Sequence, residues 1–154
     1  MPQAELYAPT PEERSSAMLP HILQVFGGFV PPLVILIVKR NSLYVRFHSL
    51  QTLIFQLIAT ALVIVGFISF FIGMFASIAS IPPNSKQMPK AFFFLPLIWL
   101  LFLFQYGLSI LLAVVFGWQC SEGKWSRYPL IGRLAARWTY KRSDQSEAAV
   151  PSAS

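Results

Sequence analysis

The sequence predicts an all-α membrane protein: three transmembrane helices with the first one kinked, a short amino-terminal helix, and a carboxy-terminal amphipathic interfacial helix. Three observations predict it. Hydrophobic residues make up 55% of the 154-residue chain and charged residues only 12%, against about 25% charged in water-soluble domains. Uncharged runs long enough to cross a bilayer alternate with short basic segments. All six acidic residues (Glu5, Glu12, Glu13, Glu122, Asp144, Glu147) lie outside those runs. Residues 10–142 then form a single helical membrane domain, between disordered ends at 1–9 and 143–154.

The first helix starts at Thr10-Pro-Glu-Glu13, where Thr10 can cap, Pro11 suits the first helical position and Glu13 completes a capping box. The first apolar span follows at about 19–38. Pro20 and the pair Pro31-Pro32 interrupt it, with Gly27 and Gly28 just before the pair, so a kinked or split helix is expected. Lys39 to Arg46 is a short basic connection. The second span, 49–81, is roughly 50 Å long if wholly helical, against a hydrocarbon core of about 30 Å, so it tilts or extends beyond the core. A turn-rich loop from Ile81 to Lys90 leads into the third span, 91–118, whose start is crowded with aromatic residues. Two ridges of small residues recur at four-residue spacing, Ser69, Gly73 and Ser77 in the second span and Ser109, Ala113 and Gly117 in the third. Such ridges allow close helix packing, within a hairpin of the two long spans or between copies of the chain.

Beyond Gly123, an interfacial segment is expected over 124–142. Ile131, Leu134, Ala135 and Trp138 share one helical face and Arg133 and Arg137 lie opposite, a pattern drawn to anionic lipid headgroups. Lys and Arg counts near the spans place the carboxy terminus in the cytoplasm, and with three spans the amino terminus outside. A hairpin-like first segment that re-enters at Pro31-Pro32 would place both ends inside instead. The start of the chain lacks the pattern of a cleavable secretory signal.

His48, Gln51, Thr52 and Gln56 lie on one side of the second span's first turns, a side that seeks protein rather than lipid. Arg127 and Tyr128 are expected to fold back over this turn, making His48, Gln51, Gln56, Arg127 and Tyr128 a candidate polar cluster or partner site. With three spans, His21 and His48 sit at opposite membrane faces, and Cys120 is the sole cysteine, so neither a metal nor another cofactor is expected. No ionisable group lies at membrane depth as a pump would need, and no nucleophile has an oriented base, so no catalytic residues are assigned and an enzyme is not expected. The basic residues flank apolar spans without a recognition motif, which disfavours nucleic acid.

Several separated motifs resemble one family. Glu12-Glu-Arg14 with Ala17, Leu19 and His21, then Pro32-Leu33, then Arg46-Phe-His48 with Gln51, Leu53, Phe55 and Gln56, then Gly123 and Tyr128-Pro129-Leu130, are similar to the small bacterial Tic-twenty-like membrane proteins, a family of unknown function. The family's usual lysine and asparagine after the histidine are replaced here by Leu50 and Ile54. The resemblance implies an integral protein of the bacterial inner membrane with no assigned reaction, and its plastid relatives imply a link to protein import. The resulting expectation is a structural or partner-binding membrane subunit, assembling with a membrane protein or with itself. Its alternative is an oligomeric channel or translocation component.

Overall fold

A computed structural model describes residues 8–82, 87–129 and 131–139. The chain divides into two compact units, the first made of Met1–Leu57 with Ser109–Ser154 and the second of Ile58–Leu108.

In the first unit, α1 (Pro11–Gly27) begins as the sequence requires. The Thr10 hydroxyl accepts from the Glu13 backbone N–H at 3.2 Å, and the Glu13 carboxylate accepts from the Thr10 N–H at 2.9 Å. Thr10→Ala is expected to lower stability by about 1 kcal/mol, measurable as a thermal shift in detergent. Pro20 does not interrupt the helix. It lies buried in its interior, on the same inward face as Ala17, His21 and Gln24. The break comes at Gly28, whose φ of 59° and ψ of −126° suit glycine.

The chain then reverses so tightly that a Cβ on Gly27 would lie 2.5 Å from the Pro31 ring. Pro31 and Pro32 fall in the first turn of α2 (Val30–Val38), where no N–H is required of them. The prolines therefore start a second helix instead of kinking a long one. At nine residues, α2 is only about 13 Å long. It returns to the start of α1, where Lys39 Nζ meets Glu12 Oε1 at 2.8 Å. The hydrogen bond from Lys39 holds the Glu12 carboxyl below the usual carboxylate range.

The expected first span is thus a helical hairpin whose two ends lie side by side. Among the described residues two helices, not three, are long and apolar enough to cross a membrane: Leu43–Ala79 and Lys90–Ser121. The first of them, α3 (Leu43–Ala79), opens with the Ser42 hydroxyl accepting from the Val45 N–H at 3.2 Å. Its opening turns belong to the first unit and bury Tyr44, Val45, Phe47, His48, Ser49, Gln51, Thr52 and Gln56.

The last turns of α4 (Leu95–Ser121) complete this unit, burying Ser109, Ala113, Phe116, Gly117 and Cys120. Gly123, at φ 78°, ends α4. Its N–H bonds the Cys120 carbonyl and the Lys124 N–H bonds the Gln119 carbonyl, both at 3.0 Å. This glycine-based cap turns the chain back over the unit.

A short helix over 132–139, α5, follows. Its buried face is Gly132, Ala135, Ala136 and Thr139, while Leu134 and Trp138 stand exposed beside Arg133 and Arg137. The expected apolar face is therefore rotated. The small residues are the ones that fit against Phe47, Leu50 and Ile54 of α3 and against Trp125. Lys141 and Arg142 of the expected interfacial segment, the chain's first seven residues and the tail 143–154 lie outside the described residues.

The second unit holds the rest of α3, a 3-10 turn at Lys90–Phe94 and the start of α4. Leu101 packs 3.9 Å from where a Cβ would sit on Gly66. Many large apolar side chains are exposed here, among them Ile72, Phe75, Phe93, Leu103 and Phe104. Water would oppose such a surface and lipid would not. The Ser69, Gly73 and Ser77 ridge makes no close packing among the described residues. Ser69 is exposed, and a Cβ on Gly73 would meet nothing within 4 Å.

Candidate functional site: a buried polar node

The inward face of α1, the first turns of α3, the last turns of α4 and the segment 124–128 converge on one cluster in the first unit. His21, His48, Gln51 and Thr52 are all almost fully buried there. Dry polar groups must be paired with one another, and these largely are. His21 Nδ1 lies 2.8 Å from the Tyr128 hydroxyl and 3.1 Å from Thr52 Oγ1, while His21 Nε2 lies 3.3 Å from His48 Nδ1. His48 Nδ1 is also 3.1 Å from Cys120 Sγ. Thr52 Oγ1 donates to the His48 carbonyl at 3.0 Å, a back-bond that anchors it on its own helix.

Gln51 clamps the returning chain. Its Oε1 accepts the Tyr128 N–H at 2.7 Å and its Nε2 donates to the Ser126 carbonyl at 3.1 Å. One turn on, Gln56 Nε2 reaches Gln24 Oε1 at 3.3 Å and Ser109 Oγ at 3.4 Å, tying α3 to α1 and α4. The Tyr44 hydroxyl is shared between the carbonyls of Cys120 and Lys124, both at 3.1 Å. Aromatic rings close the node: Tyr44 sits edge-on to His48 with centroids 4.7 Å apart, and Phe116 lies 4.3 Å from Tyr128. Burial pushes the Tyr128 phenol above its ordinary range, so the hydroxyl stays a neutral donor and acceptor.

The expected cluster of His48, Gln51, Gln56 and Tyr128 is thus one connected network, with two differences. Arg127 is exposed, and it is the Tyr128 backbone and ring that enter. The hydroxyl of Tyr128 meets His21 rather than His48. His21 and His48 do not lie at opposite faces, because α2 returns the chain before α3 begins. A double-mutant cycle of His21→Ala and Tyr128→Phe is therefore expected to show a coupling of about 0.5–3 kcal/mol in detergent stability. Strict additivity would contradict the contact.

Sequence reasoning missed His21, Gln24, Tyr44 and Cys120 as members of the node. A signal existed in their spacing. Ala17, Pro20, His21 and Gln24 fall on one helical face, as do Ser109, Ala113, Phe116, Gly117 and Cys120. The small ridge of α4 is used for close approach to α1. A Cβ on Gly117 would meet Met18, His21 and Ile22 at 3.7–3.9 Å.

No curated protein and no solved structure matches the chain. One family model matches residues 12–135, described as the magnetosome magnetite crystal formation protein family. That match spans nearly all the motifs that resemble the Tic-twenty-like proteins, from Glu12-Glu-Arg14 to Tyr128-Pro129-Leu130, and corrects the assignment. Nothing in it points to protein import. The motif residues include Glu13 of the α1 capping box and His21, His48, Gln51, Gln56 and Tyr128 of the buried node. The chain belongs to the magnetosome magnetite crystal formation family (MamF/MmsF), a family of small membrane proteins.

Proposed function

We propose that this chain is a non-catalytic structural subunit of the membrane that encloses a growing magnetite crystal, acting by holding neighbouring membrane proteins or further copies of itself. The observation that carries this reading is where the polar chemistry is used. Most polar side chains of the node bond one another or nearby backbone, and the described carboxylates are engaged locally, Glu12 with Lys39, Glu13 with Thr10, and Glu122 with Lys124 and Trp118. What remains outward is an apolar surface suited to lipid and to membrane-embedded partners.

With two spans, both chain ends face the same side. Ten of the twelve Lys and Arg residues lie with those ends or with the Lys39–Arg46 connection, and two, Lys86 and Lys90, lie in the loop between spans. The positive-inside rule then puts both termini in the cytoplasm. The exposed Arg133 and Arg137 of α5 face anionic headgroups there.

Deleting the gene in a magnetite-forming bacterium is expected to alter crystal size or shape, seen by electron microscopy, while membrane vesicles still form. Crosslinking in native membranes is expected to capture a second copy or another membrane protein. Unchanged crystals, or a chain recovered only as an uncrosslinked monomer, would contradict the reading.

A further inference from the structure

We propose that His21, His48 and Cys120 form a binding site for a borderline first-row divalent cation, with Zn²⁺ the best match. Three donor atoms of the right kind converge: one from each of His21, His48 and Cys120, all within 4.8 Å of one another. Two of the three edges are already 3.3 and 3.1 Å. A tetrahedral ion with Zn–N bonds of about 2.0–2.1 Å and a Zn–S bond of about 2.3 Å needs donor separations of roughly 3.3–3.6 Å. Binding therefore leaves the His21 to His48 edge almost unchanged and relaxes the His48 to Cys120 edge slightly.

The groups behind His21 are arranged as a metal ligand requires. A ligating imidazole presents one nitrogen to the ion and gives its other N–H to a hydroxyl, carbonyl or carboxylate. His21 turns Nε2 inward and sets Nδ1 against the Tyr128 and Thr52 hydroxyls. His48 turns Nδ1 inward. Its outward Nε2 has no side-chain or backbone partner at hydrogen-bond geometry, though the Lys124 carbonyl acts on the ring. The ring orientation sets Nδ1, not Nε2, toward the other two donors.

Two imidazoles and a thiolate select a borderline or soft cation. Hard ions such as Mg²⁺ and Ca²⁺ require oxygen cages that these three side chains do not supply. By the Irving–Williams order, Fe²⁺ binds such a set more weakly than Co²⁺ or Zn²⁺. Three protein ligands leave a fourth position for water or an exogenous donor. On binding, the Cys120 thiol gives its proton to solvent and the S–H bond is replaced by a metal–sulfur bond, so one proton is released per ion.

The test uses the full chain in detergent, reduced and stripped with chelator, titrated with Co²⁺ and then with Zn²⁺. The expected result is one Co²⁺ per chain with a thiolate-to-cobalt charge-transfer band, release of one proton, and displacement of Co²⁺ by Zn²⁺. X-ray absorption of the Zn²⁺ form should show one sulfur at about 2.3 Å and nitrogen at about 2.0–2.1 Å. Cys120→Ser should abolish the charge-transfer band, and Tyr128→Phe, which removes the hydroxyl behind His21, should weaken binding by roughly 10-fold. Circular dichroism confirms that each variant is folded. Folded wild-type chain that takes up no Co²⁺, or a Zn²⁺ site without sulfur, overturns the proposal without recourse to any variant.

Discussion

Gln51→Ala is expected to be among the most destabilising single changes in the chain, at about 1–4 kcal/mol, because it strips the partners from a buried and a part-buried backbone group at once. The Tyr128 N–H loses its 2.7 Å acceptor and the Ser126 carbonyl loses its 3.1 Å donor. The Tyr128 N–H sits where water does not replace the lost bond, and a buried unsatisfied group costs about 1–3 kcal/mol. The effect should appear as a lowered thermal midpoint in detergent and as release of the 124–128 segment, read by faster proteolysis after Lys124 or Arg127. Gln51→Glu should not rescue. It keeps an acceptor for Tyr128 but removes the donor to Ser126 and places a carboxylate in a dry site. A midpoint equal to wild type would contradict the clamp.

Gly132→Ala is expected to cost about 1–3 kcal/mol for a steric reason. An added Cβ would lie 2.5 Å from Arg127 Cβ, 3.0 Å from Arg127 Cα and 3.1 Å from Gln51 Oε1. The first two atoms are tied to the backbone and cannot swing aside, so α5 or the 127–131 turn has to shift. The comparison is Gly73→Ala, where nothing lies within 4 Å of the new methyl group. In a helix interior that change gains propensity and should be neutral or stabilising by up to about 1 kcal/mol. Because Gly132 and Gln51 act on the same segment, the double variant Gly132→Ala with Gln51→Ala should lose less than the sum of the singles.

These positions show what the sequence makes legible and where it stops. The cap at Thr10-Pro-Glu-Glu13 is a local device, complete within four residues, and it forms as read. The uncharged lengths of α3 and α4 declare their solvent by composition alone. Pro31-Pro32 is ambiguous locally. Within a long helix it makes a kink, and in a first turn it makes a start. The choice depends on Gly28 taking a positive φ and on Lys39 finding Glu12, 27 residues away. Once the choice goes to a hairpin, two of the described helices rather than three are long enough to span, and His21 arrives beside His48. The fold-back of Tyr128 onto Gln51 is legible because buried polar groups must find partners. Its meeting with His21 is not, since it depends on the same reversal. The small residues of α5 show a further limit. Leu134 and Trp138 look like the buried face by hydrophobicity, but it is Ala135 and Ala136 that pack on Phe47.

The central claim is that residues separated by up to 107 positions close a dry node over Cys120. Its most direct test is the rate at which a small, membrane-permeant maleimide modifies Cys120 in native membranes with a chelator present. The account predicts negligible labelling in the folded chain, and complete labelling after SDS or in Gln51→Ala. Labelling of the folded wild-type chain at the rate of a free thiol would contradict it.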